Sequence, residues 1–162
     1  MSDKEIYLDV KDYVGTITIN RPKTLNAFTG DNIVEMQRLL DVAGSDPKVG
    51  VIVLTGTGER AFCVGGDVNW EKGSGGKSGL EDLNFTFNRQ IVECPKPVIA
   101  RVNGYAIGGG HHIAYFCDFT IAAEHANRAA ADSRTAVAAH AEQVRDTLLA
   151  RWDGERDAAR QA

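Results

Sequence analysis

The chain has 162 residues, 43% of them hydrophobic and 25% charged, with a formal net charge of −4. Length and composition fit one globular domain with a real core, and the acidic balance gives no general attraction to nucleic acid. No apolar run approaches the ~18 residues of a membrane span, and MSDKEIYLDV lacks a signal-peptide core, so no membrane association is expected and a cytoplasmic location is. Cys63, Cys94 and Cys117 are odd in number and widely spaced, which reads as reduced thiols.

Residues 5–20 alternate as two short strands turning near Asp12 and Tyr13, and Arg21-Pro22 ends the second. Residues 30–43 carry Ile33, Met36, Leu39, Leu40 and Ala43 at helix spacing, with Asp31 or Asn32 as the expected cap. VGVIVLTG (49–56) is a continuous β-branched run, as in a parallel strand covered on both faces. A glycine-punctuated loop follows over 56–67, and residues 69–79 read as a polar, mobile segment. A helix is expected over 80–93 through Leu80, Leu83, Phe85, Phe87 and Ile91, and Pro95 and Pro97 break it. VIARV (98–102) reads as a buried strand, 108–118 as a helix, and FTIAA (119–123) as a third buried strand. Alternating strands and helices joined by short connections predict an α/β fold with a mainly parallel sheet.

The composition changes after residue 126. Residues 127–162 contain one glycine, no proline and no lysine, and a sparse stripe of Val137, Ala141, Val144, Leu148 and Trp152 suggests a helical tail. The expected organisation is residues 1–126 as one domain part and 127–162 as a divergent tail.

GTGERA (56–61) has dinucleotide-fingerprint spacing, but that motif needs a helix to begin inside it. Phe62-Cys63-Val64-Gly65-Gly66 cannot start one. GSGGKS (73–78) lacks the first glycine of a phosphate loop and no strand precedes it. Cys63 with His111 or His112 forms a nucleophile–base pair only on paper, and a buried structural cysteine is the simpler reading. Adjacent helical residues point ~100° apart, so His111 and His112 rarely share one metal ion.

Two glycine clusters remain: AFCVGGD (61–67) after one buried strand and GYAIGGG (104–110) after the next. Both fall beyond the carboxyl ends of neighbouring parallel strands, where open α/β sheets bind ligands. Glycines there let a ligand approach the backbone and free N–H groups to point at it. Either the two clusters aim N–H groups at one carbonyl oxygen, or both are tight turns.

INRPKTLNAF (19–28), VGVIVLTGTGERAFCVGGD (49–67) and residues 95–126, from PKPVIARVNGYAIGGGHH to EHA, together resemble the enoyl-CoA hydratase/isomerase, or crotonase, superfamily. Within it the wording is most similar to the branch of dihydroxynaphthoyl-CoA synthase and 2-ketocyclohexanecarboxyl-CoA hydrolase. That branch forms or opens carbon rings carried on coenzyme A by Claisen-type chemistry.

The resemblance implies a ββα spiral and a homotrimer or a hexamer. It also implies an acyl-CoA thioester whose carbonyl is held by the N–H groups of Gly66 and Gly109. Val64, Gly65, Asp67, Val68, Tyr105, Ile107 and Gly108 would touch the acyl-CoA. Lys23, Leu25, Ala27 and Arg60 would lie near the coenzyme A phosphates and adenine. Coenzyme A enters as part of the substrate, and no metal or redox cofactor is implied.

In hydratases of the superfamily a glutamate stands second after the three glycines. Here that position is His112, which a base near neutral pH can occupy. After EHA the family wording stops, and the tail is expected to be a reading-frame disturbance or a truncated product. An enoyl-CoA hydratase/isomerase, or an inactive truncated fragment that keeps the sheet, is therefore the alternative to a ring-cleaving hydrolase or ring-forming synthase.

Overall fold

A computed structural model describes residues 4–73 and 79–126. The expected helical tail, residues 127–162, lies outside the described residues.

The chain opens with an antiparallel hairpin, β1 (Ile6–Lys11) and β2 (Val14–Ile19), pairing Ile6 with Ile19 and Lys11 with Val14. Asp12 and Tyr13 turn it with left-handed φ values of 50° and 67°. A single 3-10 turn at Pro22–Thr24 leads to helix α1 (Gly30–Ser45). Its cap is Thr29, not Asp31 or Asn32. The helix begins earlier than expected because Thr29 Oγ accepts from Asn32 N–H (3.3 Å) while Asn32 Oδ1 accepts from Thr29 N–H (3.0 Å).

Strand β3 (Val51–Gly56) then pairs in parallel with β2, and β5 (Val98–Val102) in parallel with β3. Strand β7 (Phe119–Ala122) adds in parallel to β5. The sheet order is β1-β2-β3-β5-β7, the mainly parallel arrangement expected from the sequence. Ile33, Met36, Leu40 and Ala43 of α1 bury against Ile17, Ile52 and Val98. Full burial of each larger side chain contributes ~1.5–3 kcal/mol.

Two differences from the sequence reading concern what covers an element. Residues 68–73 are not a loop but form helix α2 (Val68–Gly73). Asp67 Oδ1 accepts from the N–H groups of Asn69 (3.0 Å) and Trp70 (3.3 Å), which caps the first turn. The Trp70 ring anchors it on Gly30, where an added Cβ would stand 2.9 Å from Cη2.

The second difference is β7, which is not buried. It is an edge strand, and Phe119 and Ile121 are 64% and 63% exposed. An apolar run reads as a strand covered on both faces, but among the described residues nothing covers this one.

Helix α3 (Leu80–Val92) packs on α1 and buries Phe87 and Ile91, while Phe85 points to solvent. Helix α4 (Gly109–Phe116) packs against β5 and α3.

Candidate functional site

Beyond Gly56 and beyond Val102 the chain leaves the carboxyl edge of the main sheet at two neighbouring strands. Each exit then forms a short new strand, β4 (Ala61–Cys63) and β6 (Tyr105–Ala106), and these two pair in parallel. Neither is evident in the sequence, since both fall in glycine-punctuated stretches. The pairing joins the two glycine clusters. Tyr105 N–H donates to the Arg60 carbonyl and Ile107 N–H to the Cys63 carbonyl, both at 3.0 Å.

The clusters meet at Gly65 and Gly109. A Cβ on Gly65 would stand 3.0 Å from Gly109 N and 3.3 Å from the Ile107 carbonyl oxygen. Gly65 has φ +92°, which a side chain rarely adopts. Phe28 forms a parallel bridge to Gly66: its N–H donates to the Gly65 carbonyl and its carbonyl accepts from Asp67 N–H, each at 2.9 Å. In a parallel bridge the flanked residue turns its own N–H away from the partner, so Gly66 N–H points off the Phe28 side. Gly109 is the first residue of α4, and its N–H is one of the helix's unpaired starting donors. Among the described residues neither N–H has an acceptor. The arrangement can place two backbone donors near a carbonyl oxygen, with a helix start favouring negative charge.

A framework of long-range polar contacts holds these loops, and sequence reasoning missed most of it. Asn26, held at φ 58°, donates from Nδ2 to the carbonyls of Ala61 (2.8 Å) and Thr57 (3.0 Å) and accepts at Oδ1 from Arg21 N–H. Asn103 Nδ2 reaches the same Ala61 carbonyl (3.2 Å) and that of Gly58, while its Oδ1 accepts from Gly56 N–H. His125 Nε2 lies 3.1 Å from the Glu59 carbonyl and 3.2 Å from that of Asn103. Arg21 donates to the Ala27 carbonyl and, at 3.0 Å, to Asp67 Oδ2. A polar residue directly after a strand and before a proline, or directly after a buried strand, is the only local hint of Arg21 and Asn103.

The proposed contact residues divide accordingly. Val64 is half-buried and Gly65 buried, while Val68, Tyr105 and Ile107 are large exposed apolar side chains and Gly108 is exposed at the start of α4. Lys23 and Arg60 are exposed cations on the two loops that Asn26 ties together, with Leu25 half-buried and Ala27 buried between them. Asp67 differs: both carboxylate oxygens are engaged within the protein, with Arg21 and with the α2 cap, which makes it a framework residue. Burial alone would raise its pKa, but the Trp70 N–H, the Arg21 guanidinium and the Asn69 N–H together hold it below the ordinary value.

Arg21→Leu would leave the mostly buried Asp67 carboxylate without its cation, at a cost of ~3–5 kcal/mol. The folded pKa of Asp67 lies below an unfolded value of ~3.9, so its contribution is full above that pH and is lost as pH falls through the folded pKa. The urea midpoint of the wild type is expected to fall more steeply than that of Arg21→Leu between about pH 5 and pH 3. Parallel pH profiles would contradict this assignment.

His112 is exposed on α4. His111 is the more buried of the pair, its Nε2 has no partner among the described residues, and burial followed by the neighbouring His112 lowers its pKa. Cys63 is fully buried, and burial pushes its thiol up to about 12, so no thiolate nucleophile forms there. Ellman's reagent is expected to modify Cys94 in the native protein but Cys63 and Cys117 only after denaturation. Rapid native modification of all three would refute that burial. Among the described residues no three His, Cys, Asp or Glu side chains converge as a metal site. A separate open depression of about 660 Å³ lies between β1, β2 and α1, with the Arg38–Glu35 ion pair of α1 among its lining residues.

The chain matches the family model described as enoyl-CoA hydratase/isomerase over residues 9–160, which extends past residue 126, where the motif wording ends. Among solved structures it is similar to an enoyl-CoA hydratase of Bacillus anthracis, with 33% identity and a TM-score of 0.71 over 76% of this chain and 49% of that one. An enoyl-CoA hydratase/isomerase of Xanthobacter autotrophicus matches at 30% identity and TM-score 0.72, over 77% of this chain and 48% of that one. An enoyl-CoA hydratase of Mycobacterium avium subsp. paratuberculosis matches at 31% identity and TM-score 0.66, over 75% and 46%. The chain therefore spans about half the length of these proteins. Sheet order, paired glycine loops and these matches agree, and the chain belongs to the enoyl-CoA hydratase/isomerase family.

Proposed function

We propose that the chain binds an acyl-CoA thioester at the meeting of its two glycine loops. The observation that carries this reading is the approach of Gly65 to Gly109, with the backbone N–H groups of Gly66 and Gly109 lacking acceptors among the described residues. Gly66 and Gly109 donate to the thioester oxygen. Removing an α-proton, or adding to the carbonyl, shifts negative charge onto that oxygen, and donors already aimed at it lower the barrier; one such donor is worth ~10²–10³ in rate. Val64, Val68, Tyr105, Ile107 and Gly108 line the acyl side. Lys23 and Arg60 lie toward the coenzyme A phosphates, with Leu25 and Ala27 beside them.

The acyl group is cyclic and the reaction is ring cleavage or ring formation, as in the hydrolase and synthase branch whose wording the sequence resembles. His112 at the position of the hydratase glutamate supports this over simple hydration. The assembly is a homotrimer or a hexamer. A protein that binds acyl-CoA without turnover is the second reading, favoured by His112 standing where the hydratases of the family carry their glutamate.

Isothermal titration of the 162-residue chain with acetoacetyl-CoA is expected to give saturable heat. Its absence would overturn the acyl-CoA reading. Hydratase, hydrolase and synthase assays against a panel of acyl-CoAs then separate turnover from binding alone, and light scattering reads the oligomeric state.

A further inference from the structure

Strand β1 is an outer edge of the sheet, and the hairpin fixes which of its backbone groups face outward. Asn20 N–H donates to the Glu5 carbonyl at 2.6 Å, so Glu5 and Asn20 are a hydrogen-bonded pair one step before Ile6 and Ile19. Such pairs alternate along an antiparallel ladder. Tyr7, Asp9 and Lys11 therefore exchange hydrogen bonds with β2, while the N–H and carbonyl groups of Ile6, Leu8 and Val10 point off the edge. Among the described residues these outward groups have no partner. The register with β2 is unbroken from Ile6 to Lys11, so no bulge turns the edge away. The open depression of about 660 Å³ adjoins this edge and is lined by Ile6, Leu8 and Asp9 of β1 with Glu35 and Arg38 of α1.

We infer that β1 pairs with β1 of a second copy of this chain, antiparallel about a two-fold axis at Leu8. Charge complementarity carries the choice of partner. In only one antiparallel register do all three outward residues of each copy meet outward residues of the other, with Leu8 opposite Leu8 and Ile6 opposite Val10. Hydrogen bonding alone selects that register. The same register sets Glu5 opposite Lys11 on both sides of the axis. Glu5 is anchored by Arg21 and Asn32 yet its side chain is 56% exposed, which makes it a fixed charge at the edge. Unlike charges directly opposite stabilise a sheet, and like charges destabilise it. Slipping the strands by two residues sets Glu5 against Asp9 in one direction and Asp9 against Asp9 in the other. The edge is therefore complementary to itself in a single register. The contact is isologous, so it doubles whatever assembly the other faces of the chain make.

Sedimentation equilibrium over a concentration series tests the pairing on the 162-residue chain and on two variants. Leu8→Pro removes the central outward donor but no hydrogen bond to β2, because that N–H faces away from it. Its mass is expected to stay at half that of the wild type once the wild type has paired. Lys11→Glu sets two carboxylates opposite one another and is expected to raise the dissociation constant of the pairing about 10-fold. Circular dichroism reads the fold of each variant. Lys11 is exposed, so Lys11→Glu decides by the same comparison if Leu8→Pro does not fold. Equal masses of the wild type and both variants throughout the series overturn the inference, and so does a folded Leu8→Pro that alone matches the wild type.

Discussion

Gly110→Ala is expected to destabilise the protein by at least ~4 kcal/mol, or to prevent folding. Gly110 is buried in the first turn of α4, directly against β4. An added Cβ would stand 2.1 Å from the Cys63 carbonyl oxygen, 2.6 Å from its carbon and 2.7 Å from the Cys63 Cβ. Overpacking against side chains costs ~1–3 kcal/mol because rotamers can give way. Here the obstacle is backbone, and that carbonyl is fixed by accepting from Ile107 N–H at 3.0 Å. Relief therefore requires separating α4 from β4. Urea unfolding followed by circular dichroism measures the effect, and a loss under ~1 kcal/mol would show that the approach is looser than described.

Gly65→Ala is expected to preserve the fold but to lower turnover of an acyl-CoA substrate by about 10²–10³. At φ +92° a methyl group is strained, and it would stand 3.0 Å from Gly109 N. The substitution wedges the two loops apart and displaces the Gly66 and Gly109 donors together. If the chain binds without turnover, the corresponding outcome is weaker binding of acetoacetyl-CoA. Far-ultraviolet circular dichroism confirms folding alongside the assay. Unchanged rate and affinity in a folded variant would remove these two loops from the site.

The sheet was legible in the sequence because its strands are local, apolar and bounded by turn residues. Val51–Gly56 and Val98–Val102 announce themselves in six and five residues. The reading failed where a distant contact decides the outcome. Helix α2 looks like a loop by composition, yet the Asp67 cap and the seat of Trp70 on Gly30 fold it, and the latter lies forty positions away in the chain. Strand β7 reads as buried because its composition reports hydrophobicity, while burial depends on what lies across it. The glycine clusters were visible as candidates, but their meeting depends on the β4–β6 ladder, which involves too few residues to leave a periodic signal. Arg21 and Asp67 were separated by 46 positions, and no local pattern pairs them.

The Ala61 carbonyl receives hydrogen bonds from both Asn26 and Asn103, one from each side of the paired loops. With the β4–β6 ladder this makes three chain segments a single stiff body before any ligand arrives. An association that had to organise these loops would lose affinity to their conformational entropy, and a slow closing step would appear in its kinetics. A pre-set scaffold removes both. If acyl-CoA is the ligand as proposed, its capture is expected to follow one exponential whose rate rises linearly with ligand concentration, which stopped-flow mixing would check.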